Sequence, residues 1–163
     1  MDIRAATNPT RVATPPDAPI ILVDRWLDAP RALVFRMYAD PVHLAQFWGP
    51  HGSTTVIEAF DFRPGGSWRL RIRFPAGGEV VMDNTYREIV EPERIVFSFP
   101  DSVHPVPGEV VSSIRFAEEA GGTRIVAEVR FGSLDARDKA AEMGFATPVA
   151  HSLERLDALL AAR

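Results

Sequence analysis

From Ser53 onward, apolar and polar residues alternate with the two-residue period of half-buried strands. In the run from Trp68 to Phe74, Trp68, Leu70, Ile72 and Phe74 share one face and Arg69, Arg71 and Arg73 the other, because successive strand side chains point to opposite sides. The same parity sets Ile125, Ala127, Val129 and Phe131 inward, with Arg124, Glu128 and Arg130 outward. It also groups Val80, Met82, Asn84 and Tyr86 on the dry side. Turn signals at Pro64-Gly65-Gly66, Ala76-Gly77-Gly78, Glu91-Pro92-Glu93 and Ala120-Gly121-Gly122 recur at hairpin intervals, which predicts an antiparallel meander of about six strands.

Helical spacing flanks this meander. Residues 20–23 open a first strand that carries Trp26 near its end. Asp28 and Pro30 precede Leu33, Val34, Met37 and Tyr38, predicting a cap near Asp28 and a helix over 30–39. Asp40-Pro41 repeats the capping logic for a shorter helix ending at Gly49, so that the two helices turn a corner. Beyond Leu134 the helical pattern returns, first to Gly144 and then in a longer helix with Thr147 as N-cap and Pro148 at its first position. On that helix Val149, Leu153, Leu156 and Leu160 form one apolar stripe, which belongs against the dry face of the sheet. Residues 1–19 hold four prolines and few large apolar side chains, and read as a flexible leader to a single domain over 20–163. The fold class is α+β: a curved antiparallel sheet of about six to seven strands wrapped around a long C-terminal helix, two short helices after the first strand, and an apolar cavity between sheet and helix.

Composition narrows the function. Eighteen Lys and Arg against 22 Asp and Glu leave a net charge of −4. The charges are interspersed, which argues against a nucleic-acid partner, since that needs a clustered basic face. The absence of cysteine excludes disulfides, thiol nucleophiles and cysteine-ligated metals, and suits a reducing cytosol. The N-terminal residues lack the apolar core of a secretory signal, and no stretch approaches the ~20 apolar residues of a membrane span. A cytoplasmic protein without a membrane association is expected.

The dry faces supply candidate ligand-binding residues. Trp48 and Trp68 are large enough to wall a pocket, together with Leu70, Ile72, Met82, Phe97, Ile114, Val149 and Leu153. Asn84 and Tyr86 are candidate polar groups that orient a ligand in an otherwise apolar space. Glu58 is a candidate general base, because the alternation that turns Phe60 inward also buries Glu58 and raises its pKa; a bulge within residues 56–62 expels it instead. The histidines at 43, 51, 104 and 151 have no metal-ligand spacing, and neither metal nor cofactor is implied. His151 lies opposite the apolar stripe and faces water, while His51 reads as a turn residue. Ser112, Ser113 and Ser133 lack the G-x-S-x-G context of a serine hydrolase. Gly65 and Gly66 serve a hairpin, since a strand follows them where a phosphate cradle needs a helix. The stripe of Arg69, Arg71 and Arg73 is expected to pair with Glu79 or Glu128 across strands.

Several local words converge: Leu27 to Arg31 (LDAPR), Asp40 to Pro50 (DPVHLAQFWGP), Asp61 to Trp68 (DFRPGGSW) and Tyr86 to Phe99 (YREIVEPERIVFSF), closed by an MGF…SLERL segment. Over about residues 20–162 the chain resembles bacterial homologues of the activator of the ninety-kilodalton heat-shock protein's ATPase, within the START-related, birch-allergen-like helix-grip superfamily. That resemblance implies a helix-grip fold whose cavity, in the wider superfamily, holds lipids, polyketides and other apolar molecules. Relatives typically carry Gly-Trp at the start of the last helix; this chain has Pro148-Val149, and the lost indole enlarges the expected pocket unless Phe145 or Trp68 fills the space. The expected function is binding of an apolar or aromatic small molecule. An aromatase- or cyclase-type enzyme is the alternative, and it requires Tyr86, Asn84 and Glu58 to converge on one reacting atom. The resemblance also raises regulation of the chaperone's ATPase, without the separate N-terminal chaperone-binding domain of the eukaryotic activators. An exposed strand edge leaves room for a homodimer.

Overall fold

A computed structural model describes residues 8–99 and 106–163. Eight strands form one fully antiparallel sheet: β1 (Arg11–Ala13), β2 (Ile20–Leu27), β3 (Thr54–Phe60), β4 (Ser67–Arg73), β5 (Glu79–Val90), β6 (Arg94–Ser98), β7 (Val111–Glu119) and β8 (Gly122–Arg130). Their order, β1-β2-β8-β7-β6-β5-β4-β3, makes the predicted six-strand meander and adds the N-terminal strands beside its last member. Among the described residues four helices accompany this sheet: α1 (Arg31–Ala39), α2 (Pro41–Phe47), α3 (Leu134–Glu142) and α4 (Ala146–Ala161). This is the α+β helix-grip architecture, with a C-terminal helix over one face of a large sheet.

The inner face follows the parity of the sequence. Trp68, Leu70 and Ile72 are buried on β4, and Ile125, Ala127 and Val129 on β8. Along the outer face Arg71 and Arg73 pair with Glu79, as the cross-strand rule anticipated, and Arg69 approaches Asp83. The β3–β4 hairpin is locked onto β5, where Gly65 donates to the Tyr86 carbonyl at 2.7 Å and Tyr86 donates to that of Gly66 at 3.0 Å. A Cβ on Gly66 would lie 2.0 Å from the Asp61 carbonyl oxygen, so only glycine closes this turn.

Three expectations are corrected. Part of the expected leader is structured: β1 pairs with β2, matching Arg11 to Asp24 and Ala13 to Leu22. It is held by polar groups, which a hydrophobic pattern cannot register. The Asn8 amide bonds the backbone of Trp26 in both directions, Arg11 pairs with Asp24 at 3.0 Å, and buried Arg137 donates to the carbonyls of Pro15, Ala18 and Ile20. This strand takes the sheet beyond the seven expected. The first cap is also misplaced, since Pro30 occupies the N-cap of α1 and no side chain caps it. Finally, α4 starts with Phe145 at its N-cap, so Thr147 and Pro148 fall within the first turn. Pro148 sacrifices nothing there, because the first turn's N–H groups have no partner within the helix. The Asp40 cap is as predicted, its carboxylate accepting from the Val42 N–H at 2.9 Å.

Candidate functional site

The helix α4 packs on α2 and β2, and a cavity of about 660 Å³ separates its first turns from the central strands. The sheet side of the wall comes from Ile72 on β4, Val80 and Met82 on β5, Phe97 on β6, Ile114 on β7 and Val129 on β8. The other side comes from the α3–α4 turn and α4 itself, through Met143, Phe145, Pro148, Val149 and Leu153. Such a volume falls within the range of about 300–1,000 Å³ typical of small-molecule sites. Phe145, on this wall, packs edge-on against Phe99 and Phe131 at 5.9 and 5.3 Å between centroids.

The end of the cavity nearest α2 is built by a clasped loop. Trp48 and Pro50 line it beside Gly49, whose φ of 113° is a conformation that suits glycine. Ser152 accepts from the Gly49 N–H at 3.0 Å. The Arg155 guanidinium donates to the carbonyls of Gly49, Pro50, Gln46 and Ser53 at 3.1–3.4 Å. Burial draws Arg155 below its ordinary pKa, and these oxygens offset that cost. The last helix therefore fixes the loop bearing Trp48.

Of the residues expected to bind a ligand, Trp48, Ile72, Met82, Phe97, Ile114, Val149 and Leu153 line the cavity. Trp68, Leu70, Asn84 and Tyr86 are buried but stand outside its wall. Trp68 packs edge-on against Trp48 at 4.6 Å and Phe97 at 5.1 Å, which places it behind two wall residues, and it stacks on Tyr86. The Asn84 amide and Trp68 Nε1 have no hydrogen-bond partner among the described residues. Glu58 is exposed on the outer face, because a bulge between Ile57 and Ala59 rotates it out of the strand alternation. There it approaches Arg69 and Arg71 at 3.3 and 3.4 Å, so the enzyme constellation of Glu58, Asn84 and Tyr86 does not assemble.

Polar wall residues escaped the sequence reading: Tyr38 and Ser112, and Thr147 and Ser152 on α4. Tyr38 stands at the end of α1 and Ser112 on β7, and both line the cavity. Burial raises the Tyr38 phenol well above its ordinary pKa, so it stays neutral and able to donate. The signal for Ser112 was present in its parity with Ile114 and Phe116. His51 stands in a turn and is exposed, as expected, but it comes together with His151 and Glu154 near the clasped loop, a donor set able to hold a metal ion, while His104 lies outside the described residues.

This geometry can be set beside known proteins. The family described as "Activator of Hsp90 ATPase homolog 1-like protein" matches residues 28–161. The chain belongs to this family. Members of the Activator of Hsp90 ATPase homolog 1-like family share a fold known for ligand binding, and the chain's likeness to solved structures extends over nearly its whole length. Protein Ms6760 from Mycobacterium smegmatis is similar at 25% identity with a TM-score of 0.82, covering 93% of this chain and 97% of that one. A protein from Arthrobacter aurescens is similar at 23% identity with a TM-score of 0.83, covering 94% and 92%. One from Nitrosomonas europaea shares 22% identity with a TM-score of 0.77, covering 88% and 94%. No curated protein matches the sequence. Among the described residues no helix is long and apolar enough to cross a membrane.

Proposed function

We propose that this protein binds an apolar small molecule carrying a hydrogen-bond acceptor, held between the sheet and α4. The observation that carries this reading is the cavity of about 660 Å³, whose wall is almost wholly aliphatic and aromatic. Enclosing a ligand there removes its apolar surface from water at roughly 25 cal/mol per Å². Tyr38 and Ser112 are the groups assigned to the acceptor, since a few polar groups in an apolar site fix orientation. Trp48, held by the Arg155 clasp, and Phe97 and Phe145 offer ring faces and edges to an aromatic ligand.

The test is titration with N-phenyl-1-naphthylamine, a neutral apolar fluorophore, against the wild-type protein and Val149→Trp. Saturable binding of one probe per chain is expected, weakened at least ~10-fold by the indole, because filling a packed space forces displacement. Equal affinity in the two proteins would mean that the probe binds elsewhere, and the cavity reading would be abandoned. Mass spectrometry of the freshly purified protein, under native and then denaturing conditions, then identifies the natural ligand class by the mass lost.

A further inference from the structure

We propose that His51, His151 and Glu154 bind one divalent transition-metal ion of zinc-like preference beside the cavity. One ring nitrogen from each histidine and one carboxylate oxygen lie within 4.8 Å of one another. His51 Nε2 stands 2.6 Å from Glu154 Oε2, and the two imidazoles face each other with centroids 4.0 Å apart and planes 32° from parallel. Donors bound at ~2.0–2.2 Å around a tetrahedral ion are roughly 3.4 Å apart, so small side-chain rotations bring all three into place. The ion takes the place of the direct contact between His51 and Glu154.

The donor types choose the metal. Two imidazoles and one carboxylate suit zinc, nickel, cobalt or iron, whereas magnesium and calcium favour all-oxygen sites. Three protein donors at a partly exposed position leave room for water or an exogenous ligand on the ion.

The scaffold is already organised for it. His151 and Glu154 are three residues apart on α4 and share one face of that helix. His51 comes from the loop that Ser152 and Arg155 clamp to the same helix, so the ordering cost of joining the two segments is met by the fold. Arg155, the cation one residue beyond Glu154, is engaged by loop carbonyls. Coordination through His151 Nδ1 gives up its 3.1 Å bond from the His51 N–H, which is exposed and passes to water. None of the three donors lines the cavity, so the site is independent of the apolar-ligand reading.

The full chain, stripped with EDTA and dialysed, is titrated with Zn²⁺ by calorimetry. One ion per chain is expected. His51→Ala, His151→Ala and Glu154→Gln should each weaken it at least ~10-fold, a loss that even outer-sphere partners of a metal site can produce. His43→Ala, outside the cluster, should leave it unchanged. The Co²⁺-loaded wild type should show visible d–d absorption that His151→Ala lacks. Zn²⁺ uptake below one ion per chain, or histidine variants that weaken binding less than this, overturns the proposal. Because Zn²⁺ is measured without any apolar probe, its failure is distinguishable from failure of the cavity reading.

Discussion

Tyr38 and Tyr86 are the two tyrosines of the chain, and burial raises both phenols well above their ordinary pKa. In the unfolded chain they ionise near pH 10, whereas in the folded protein they keep their protons. Above about pH 10 the unfolded state therefore binds fewer protons, and stability falls by up to about 1.4 kcal/mol per pH unit for each tyrosine; below that pH they contribute no slope. Denaturant unfolding monitored by tyrosinate absorbance from about pH 9 to 12 should show both phenols ionising only as the protein unfolds. A near-normal titration in the folded protein would refute the assignment. Sequence parity located Tyr86 inside, and the helical stripe located Tyr38, but neither reveals which of the two borders a cavity. That depends on which rings stand in front, and Trp48 and Phe97 screen Trp68 with Tyr86 stacked upon it.

Among elements, the joint between α4 and the α2–β3 loop is the most informative. One guanidinium serves five carbonyls at that joint, so Arg155→Ala leaves several backbone acceptors without their donor. We expect a loss of about 2–4 kcal/mol in chemical denaturation, with Arg155→Lys recovering only part, because an ammonium lacks the planar fork. An alanine variant within about 0.5 kcal/mol of wild type would show the clasp to be incidental. Strands β4 and β8 were legible because one face is dry and the other charged. Strand β1 was not, because asparagine and arginine side chains hold it. Capping followed the same division: the Asp40 cap is local and was readable, whereas α1 and α4 start where the preceding turn sets them.

The whole molecule keeps an apolar cavity open beside a core that elsewhere closes into continuous aromatic contacts. A ligand that binds only this folded form stabilises it by mass action, by about 2.7 kcal/mol at one hundred times its dissociation constant. N-phenyl-1-naphthylamine should accordingly raise the melting temperature of the wild type and leave that of Val149→Trp nearly unmoved; equal shifts would point to binding outside the cavity. The sequence by itself determined the antiparallel meander, the flanking helices and the inward faces, because alternation and helical periodicity are local consequences of backbone geometry. Its family words determined the fold class. Only the tertiary structure decided that a bulge turns Glu58 to solvent, that Asn84 and Tyr86 lie behind the cavity wall while Tyr38 and Ser112 lie on it, and that His51 meets His151 across 100 residues. Those outcomes rest on how strands shift register and how distant segments dock, and no short stretch of chain carries that information.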